Sequence, residues 1–435
     1  MTTSEVLNFT DIPDVDEGIE RFDFHEYEPV ARTNLNSSGE IRINVEQQNL
    51  FTLPSEAFLL FEGRLLKADG TAYANADALS LANNGIMHLF SHISYRLLNQ
   101  QVEDVYHPGQ ATIMLGLLKY PNNFQLAQGL NQLWYKDSAA TAVLADNTGL
   151  ATAAAGKVNL DKISLLIPHV IPSDVKRINL YKTIEPKVTI PLYFRARHCD
   201  TISVPQSTTF SWRLSVKTSP ENPRYIIVGF QTNKVGDQKL NSSIFNRDLK
   251  NMYIVLNQER YPAVGYNLSF PNQQFSRAFR DAYVFSEKLY GMNDLITQSN
   301  IPPYEYKDLY PLMVFDVSKQ SERLKSSVRD VQIKATFNAA VSANTEAFAV
   351  VISNKLLRFQ SDGNKMNIKI TLQKLLTILL MIAMDNGLLN KESIMTEVKE
   401  VNEKRSETGE ITIYLSLYSA MRGTKHGWRY FELRD

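Results

Sequence analysis

The feature that most constrains this chain is an alternation of apolar and polar residues at period two. Phe210, Trp212, Leu214 and Val216 alternate with Ser211, Arg213 and Ser215, and Val331, Ile333, Ala335 and Phe337 repeat the pattern. Successive side chains of an extended chain point to opposite faces, so each segment reads as a strand with one packed and one solvated face. Ile41, Ile43 and Val45 open the same alternation earlier in the chain. Tyr225–Phe230, Met252–Leu256, Leu312–Val317 and Ala347–Ile352 are apolar or nearly so throughout, as strands covered on both faces would be. Ala57–Leu66 closes at Lys67-Ala-Asp-Gly70. Leu89–Leu98 ends at the polar Asn99-Gln-Gln101, and Val158–Ile167 is stopped by Pro168 and Pro172. Roughly five strand candidates precede residue 170 and roughly eight fall between 186 and 357. No βαβ alternation is present, so the fold class is all-β, a sandwich or barrel.

Each half carries one helix. Gln110–Lys119 follows the break at His107-Pro-Gly109. Phe275, Ala278, Phe279, Ala282, Phe285 and Leu289 form a stripe at helical spacing, between Pro271 and Gly291. Residues 1–40 read as an extended acidic arm. Asp11, Asp14, Asp16, Glu17, Glu20, Asp23, Glu26 and Glu28 face only Arg21 between residues 11 and 28, which suits either a solvated tail or a segment lying on a neighbouring subunit. Residues 121–157, rich in Asn, Ala, Gly and Thr, read as a long loop. Residues 369–435 differ from the rest: a helical stretch over Leu372–Lys399, a turn near Ser406-Glu-Thr-Gly409, then alternation at Ile411, Ile413, Leu415 and Leu417. They form a mixed α/β C-terminal appendix.

The 46 basic and 46 acidic residues cancel. A neutral chain has no long-range field to gather nucleic acid, and its copies need not repel one another. Cys199 is the single cysteine, so no intramolecular disulfide or cysteine-based zinc site can form, and folding in a reducing compartment is expected. No signal peptide is legible at the start, so the four sequons at Asn8, Asn36, Asn241 and Asn267 carry little weight. The most apolar segment, Leu375–Met384, is half of the roughly 20 residues a membrane span needs.

Site chemistry is absent from the pattern. Neither GxGxxG nor GxxxxGKS occurs, nor HExxH. His88 and His92 would share a helix face, but the segment reads as a strand, on which residues four apart are separated by about 13 Å. His198-Cys199-Asp200 reads as a turn between strands, and adjacent residues cannot by themselves form a nucleophile relay. Glu103 with Asp104, and Glu305 with Asp308, read as polar-loop carboxylates without the separate environments that acid–base work requires. Arg277 and Arg280 lie off the helical stripe, facing solvent or a neighbouring subunit. Most of the 20 Tyr and 21 Phe fall on packed phases, which favours core over a stacking platform. No catalytic, cofactor-binding or metal residue is expected.

Several segments resemble a known family. Leu81-Ala-Asn-Asn-Gly-Ile-Met-His-Leu-Phe90 with Ile93-Ser-Tyr-Arg-Leu-Leu-Asn99 is similar to the early part of double jelly-roll major capsid proteins of the Polinton/Maverick and adintovirus group, more distantly those of virophages and adenoviruses. So are Pro205–Leu214, Pro223–Gln231, Phe270-Pro-Asn-Gln-Gln-Phe-Ser276, Ala347–Ser353 and Phe359-Gln-Ser-Asp-Gly363. The resemblance spans about residues 40–368. It implies two tandem jelly-roll sandwiches, over 41–180 and 181–368, and a homotrimeric pseudo-hexagonal capsomer of an icosahedral virion. Penton and minor capsid proteins are the further partners it implies. Fewer strands than a full roll are legible before residue 170, which leaves open a shortened first roll, and residues 369–435 lie beyond the family's usual end. A host-adopted capsid relative, a lectin-like binding module and a hydrolase on a β scaffold are the rival readings.

Overall fold

A computed structural model describes residues 18–30, 35–37, 39–46, 51–74, 81, 83–97, 100–136, 156–183, 189–214, 222–232, 245, 248–256, 258–291, 301–319, 330–361, 366–369, 412–413 and 431–432. Its strands form four antiparallel sheets. The first contains β1 (Ile19–Tyr27), β3 (Phe51–Thr52), β4 (Phe58–Lys67), β7 (Gly156–Pro172) and β18 (Phe431–Glu432), in the order β1-β7-β3-β18 with β4 also beside β7. The second contains β2 (Ile43–Asn44), β5 (His92–Leu97), β6 (Gln100–Tyr106) and β17 (Thr412–Ile413), in the order β2-β17-β5-β6. Ile43, Val45 and Ile93 meet Ile163, Leu165 and Ile167 in a shared core, so these two sheets face each other. Period two decides which residues do this: alternate positions of β7 enter the core together.

The other two sheets are the larger pair. One holds β8 (Thr189–Ser203), β10 (Asn222–Thr232), β13 (Met313–Asp316), β15 (Thr345–Ser361) and β16 (Met366–Lys369). The other runs in the order β12 (Glu259–Tyr261), β11 (Leu249–Leu256), β14 (Val331–Phe337), β9 (Thr209–Arg213). β14 and β9 bury alternate residues, as their sequences predict. Ile226, Ile227 and Val228 of β10 have no exposed surface, because that sheet is covered on both faces. Six helices are described: α1 (Gly85–His88), α2 (Pro108–Lys119), α3 (Gln128–Asn131), α4 (Asp174–Thr183), α5 (Ser276–Tyr290) and α6 (Pro303–Asp308). α5 buries Ala278, Ala282, Phe285 and Leu289 and ends at Gly291, whose φ of 68° is the left-handed closure glycine adopts without strain.

Four expectations change. β7 does not stop at Pro168. Leu53, between β3 and β4, donates its N–H to the Pro168 carbonyl, and the ladder is interrupted there by the turn at Pro54–Glu56. The missing proline N–H therefore faces a gap, and the strand continues to Pro172. Within the acidic stretch, Ile19–Tyr27 is a strand on β7, not a solvated tail or a segment on a neighbouring subunit. His88 ends a helical turn and β5 begins only at His92. Gln100 and Gln101, read as a strand terminus, instead open β6. The predicted helix over 372–399 and the turn near 406–409 lie outside the described residues, as do 137–155 within the predicted loop.

Candidate functional site

The arrangement most able to serve a function is the junction between the two sheet pairs. β8 and β15 pair continuously from Thr189↔Gln360 to Ser203↔Glu346. At about 3.3 Å per residue the ribbon is roughly 50 Å long. Its far end carries Leu357 and Phe359, buried with Val102 of β6 and flanked by Ile190, Leu192 and Phe194. Polar bonds fix the register of this contact. Lys355 Nζ donates to the Val102 carbonyl at 2.9 Å, and the Arg197 backbone N–H donates to Glu103 Oε1 at 3.1 Å. The Arg197 guanidinium stands 3.9 Å from the same carboxylate, with both side chains largely buried.

α2 closes the junction. It is apolar on every side, and ten of its twelve residues are buried. A helix of this kind needs neighbours all round, and α2 shares one continuous core with Trp134, Phe348 and the larger sheet pair. Gly116 lets it approach closely, since a Cβ there would meet Trp134 Nε1 at 2.6 Å. Beside it, Lys136 Nζ and Glu305 Oε2 form an ion pair at 2.7 Å, with side chains only 8% and 10% exposed.

The residues singled out in the sequence fall as follows. His88 packs beside Gly109 at the start of α2, whereas His92 on β5 pairs with Asp104 of β6 and stacks on Tyr106. No group of three metal-binding side chains occurs among the described residues. His198-Cys199-Asp200 is not a turn but lies in mid-β8, paired with Val351, Val350 and Ala349. Alternation puts His198 and Asp200 on one face, with Nε2 3.0 Å from Oδ1, and Cys199 on the other, inside the core. Burial pushes the Cys199 thiol well up from its ordinary value, which leaves it unreactive. Glu103, Asp104 and Glu305 are not loop carboxylates: the first two belong to β6 and the third to α6. Two of them, Glu103 and Glu305, sit in the buried pairs described above. Arg277 lies over the Tyr266 ring and donates to the Val264 and Gly265 carbonyls. Arg280, on the same helix, is exposed.

Sequence reasoning missed one polar cluster. His169 on β7 is 2% exposed, its ring lies 4.1 Å from that of His25 on β1, and Tyr27 Oη and His169 Nε2 share a hydrogen bond of 2.9 Å. Burial, reinforced by the His25 charge, lowers the pKa of His169 to about 4, and burial pushes that of Tyr27 up to about 12. The signal available was alternation within Asp23, His25 and Tyr27, which the acidic composition of the stretch concealed.

Large apolar side chains remain outside. Phe22 and Phe24 project from β1, Val175 and Ile178 from α4, Leu126 and Leu130 from the segment around α3, and Tyr193 from β8. No helix among the described residues is long and apolar enough to cross a membrane. Antiparallel sheets in two facing pairs, a buried junction and apolar side chains left on the surface define a structural β-sandwich class. The comparisons give it a family. The double jelly roll-like domain matches residues 140–357, and the chain belongs to that family. No curated protein matches the sequence.

Among solved structures the chain is similar to a chain of the Sputnik virophage structure determined by cryo-EM. The TM-score is 0.50 at 10% identity, covering 84% of this chain and 91% of that one. It is also similar to the mavirus major capsid protein (TM-score 0.43, 13% identity, 85% of this chain and 93% of that one). The PBCV-1 virus capsid matches at TM-score 0.46 and 8% identity, over 81% of this chain and 97% of that one. At these identities the likeness concerns the fold.

Proposed function

We propose that this chain is a major capsid protein, the structural subunit of an icosahedral viral shell, and that its work is self-association rather than catalysis. The observation that carries this is the junction. The β8–β15 ribbon and α2 lock the two sheet pairs together through buried apolar and ionic contacts, as a shell brick requires. Membership in the double jelly roll-like family supports the same reading. The finer assignment is a homotrimeric, pseudo-hexagonal capsomer of the Polinton/Maverick–adintovirus group, with each sheet pair a jelly roll and residues 369–435 a C-terminal appendix. In the virion its neighbours would be further capsomers, a penton protein and minor capsid proteins. Obligate interfaces of that kind bury on the order of 2,000–5,000 Å². Size-exclusion chromatography with light scattering tests the proposal, followed by negative-stain microscopy. The expected result is a stable species of three times 49.4 kDa. A well-folded monomer persisting at high concentration would sink it.

A further inference from the structure

Besides its backbone ladder, β1 meets β7 through a cluster of two histidines and a tyrosine. We propose that His25, His169 and Tyr27 form an acid-released clasp: at neutral pH it holds the edge strand β1 on β7, and in an acidic medium it lets that strand go. The inference is independent of the assembly reading above.

Geometry carries it. β1 is the terminal strand of its sheet and, among the described residues, forms backbone pairs with β7 alone. The two imidazole rings lie in contact across that ladder, with centroids 4.1 Å apart, and the Tyr27 ring stacks with that of His169 at 5.9 Å. The Tyr27 bond occupies His169 Nε2, and His169 Nδ1 is buried without a hydrogen-bond partner. The cluster therefore accommodates a neutral His169 ring. Once His169 is protonated, its charge stands in a site nearly closed to water and against the His25 ring, with Tyr27 Oη as its one hydrogen-bond partner.

Neighbouring charges do not relieve this. Asp23 stands opposite His169 in register, but its carboxylate is engaged by Arg21 on the same strand. Glu26 faces the other side of the sheet and pairs with Lys162. Across β7, β3 brings the uncharged Thr52 opposite His169, and the turn after it brings the exposed Glu56. Glu432 stands one strand further out, on β18. At β2 of the facing sheet, Arg42 just before it bonds to Asn44, which in turn bonds to Glu46 just after it. The lowered pKa of His169 agrees with this geometry. A histidine that resists protonation when folded contributes stability above its ordinary value of about 6.5, and that contribution is lost as pH falls toward the folded value.

The test is amide hydrogen exchange on the full chain at about pH 7.5 and about pH 5, either side of the ordinary histidine range, corrected for intrinsic exchange. β11 and β14, which bear no histidine, serve as the internal reference. Protection of residues 19–27 is expected to fall about ten-fold more than that of the reference strands at the lower pH. His169→Gln, which keeps a hydrogen-bonding side chain, and His25→Gln, at a partly exposed position, should each blunt the response while leaving protection at the higher pH intact. Either variant decides the matter if the other fails to fold. Unchanged protection of β1 in the native chain, or an acid response undiminished in a folded variant, overturns the proposal.

Discussion

At the scale of single residues, the polar groups that matter are those the sequence presents as unremarkable. Glu305 sits in Pro302-Pro-Tyr-Glu-Tyr-Lys307, a stretch whose composition suggests a solvated loop, yet its carboxylate is buried against Lys136 from a segment 169 positions earlier. No local pattern encodes a partner that distant. Replacing Glu305 by Leu removes the counter-charge of the Lys136 ammonium and leaves it the 3.3 Å contact with Asn122 Oδ1, which should cost about 3–5 kcal/mol. The double variant Lys136→Met with Glu305→Leu should recover most of that loss, since two apolar groups restore packing without a lone charge. Urea denaturation of the three proteins measures both changes, and equal losses in the single and double variants would contradict the buried pair. Gly116 makes a complementary case. Alanine for glycine inside a helix ordinarily gains about 1 kcal/mol. Here the added Cβ would also stand 2.9 Å from Tyr120 Cε2, besides its clash with Trp134. Gly116→Ala should therefore lose about 1–3 kcal/mol, as overpacked cores do, read as a lowered urea midpoint with unchanged slope.

At the scale of elements, legibility follows burial on one face. β9, β14 and α5 were readable because each buries a regular stripe and leaves the rest less covered, whereas β11, whose Met252–Leu256 reads as covered on both faces, buries only alternate residues there. β1 and β6 were not. Charged and amide side chains dominate their sequences, so long-range pairing rather than intrinsic preference decides them. α2 was readable as a helix but not as part of the junction, because an apolar run gives its burial and not its neighbours. The reach of β15 shows the same gap. Its second half looks like any amphipathic strand, although Leu357 and Phe359 belong to a separate cluster with Val102. That separation is testable. Leu357→Ala should cost about 2–5 kcal/mol, the usual range for a buried leucine cavity. The loss falls at the contact that joins the two sheet pairs, so calorimetry should show one transition for the native chain and two for the variant, with the larger sheet pair melting at nearly its original temperature. A lower but still single transition would mean that α2 and the Lys136–Glu305 pair hold the block together without the ribbon's far end.

At the scale of the whole molecule, the balance of 46 positive and 46 negative charges bears on how copies meet. Surface ion pairs contribute little each and are screened by salt, whereas apolar burial is insensitive to salt or strengthened by it. Subunits with no net charge and with Phe22, Phe24, Val175, Ile178 and Tyr193 left outside should associate through apolar area. The mass of the assembly by light scattering should then hold constant between about 0.1 M and about 1 M sodium chloride, over which the screening length falls from about 10 Å to about 3 Å. Under the same conditions a subunit joined by patches of opposite charge would dissociate, and one that gathers nucleic acid by charge would lose it steeply. A neutral chain predicts neither. Dissociation at high salt would show that opposed local patches, invisible in a summed charge, hold the copies together. Binding of duplex DNA by the purified chain at about 0.15 M salt would place a basic face on one side of the subunit, despite the overall balance.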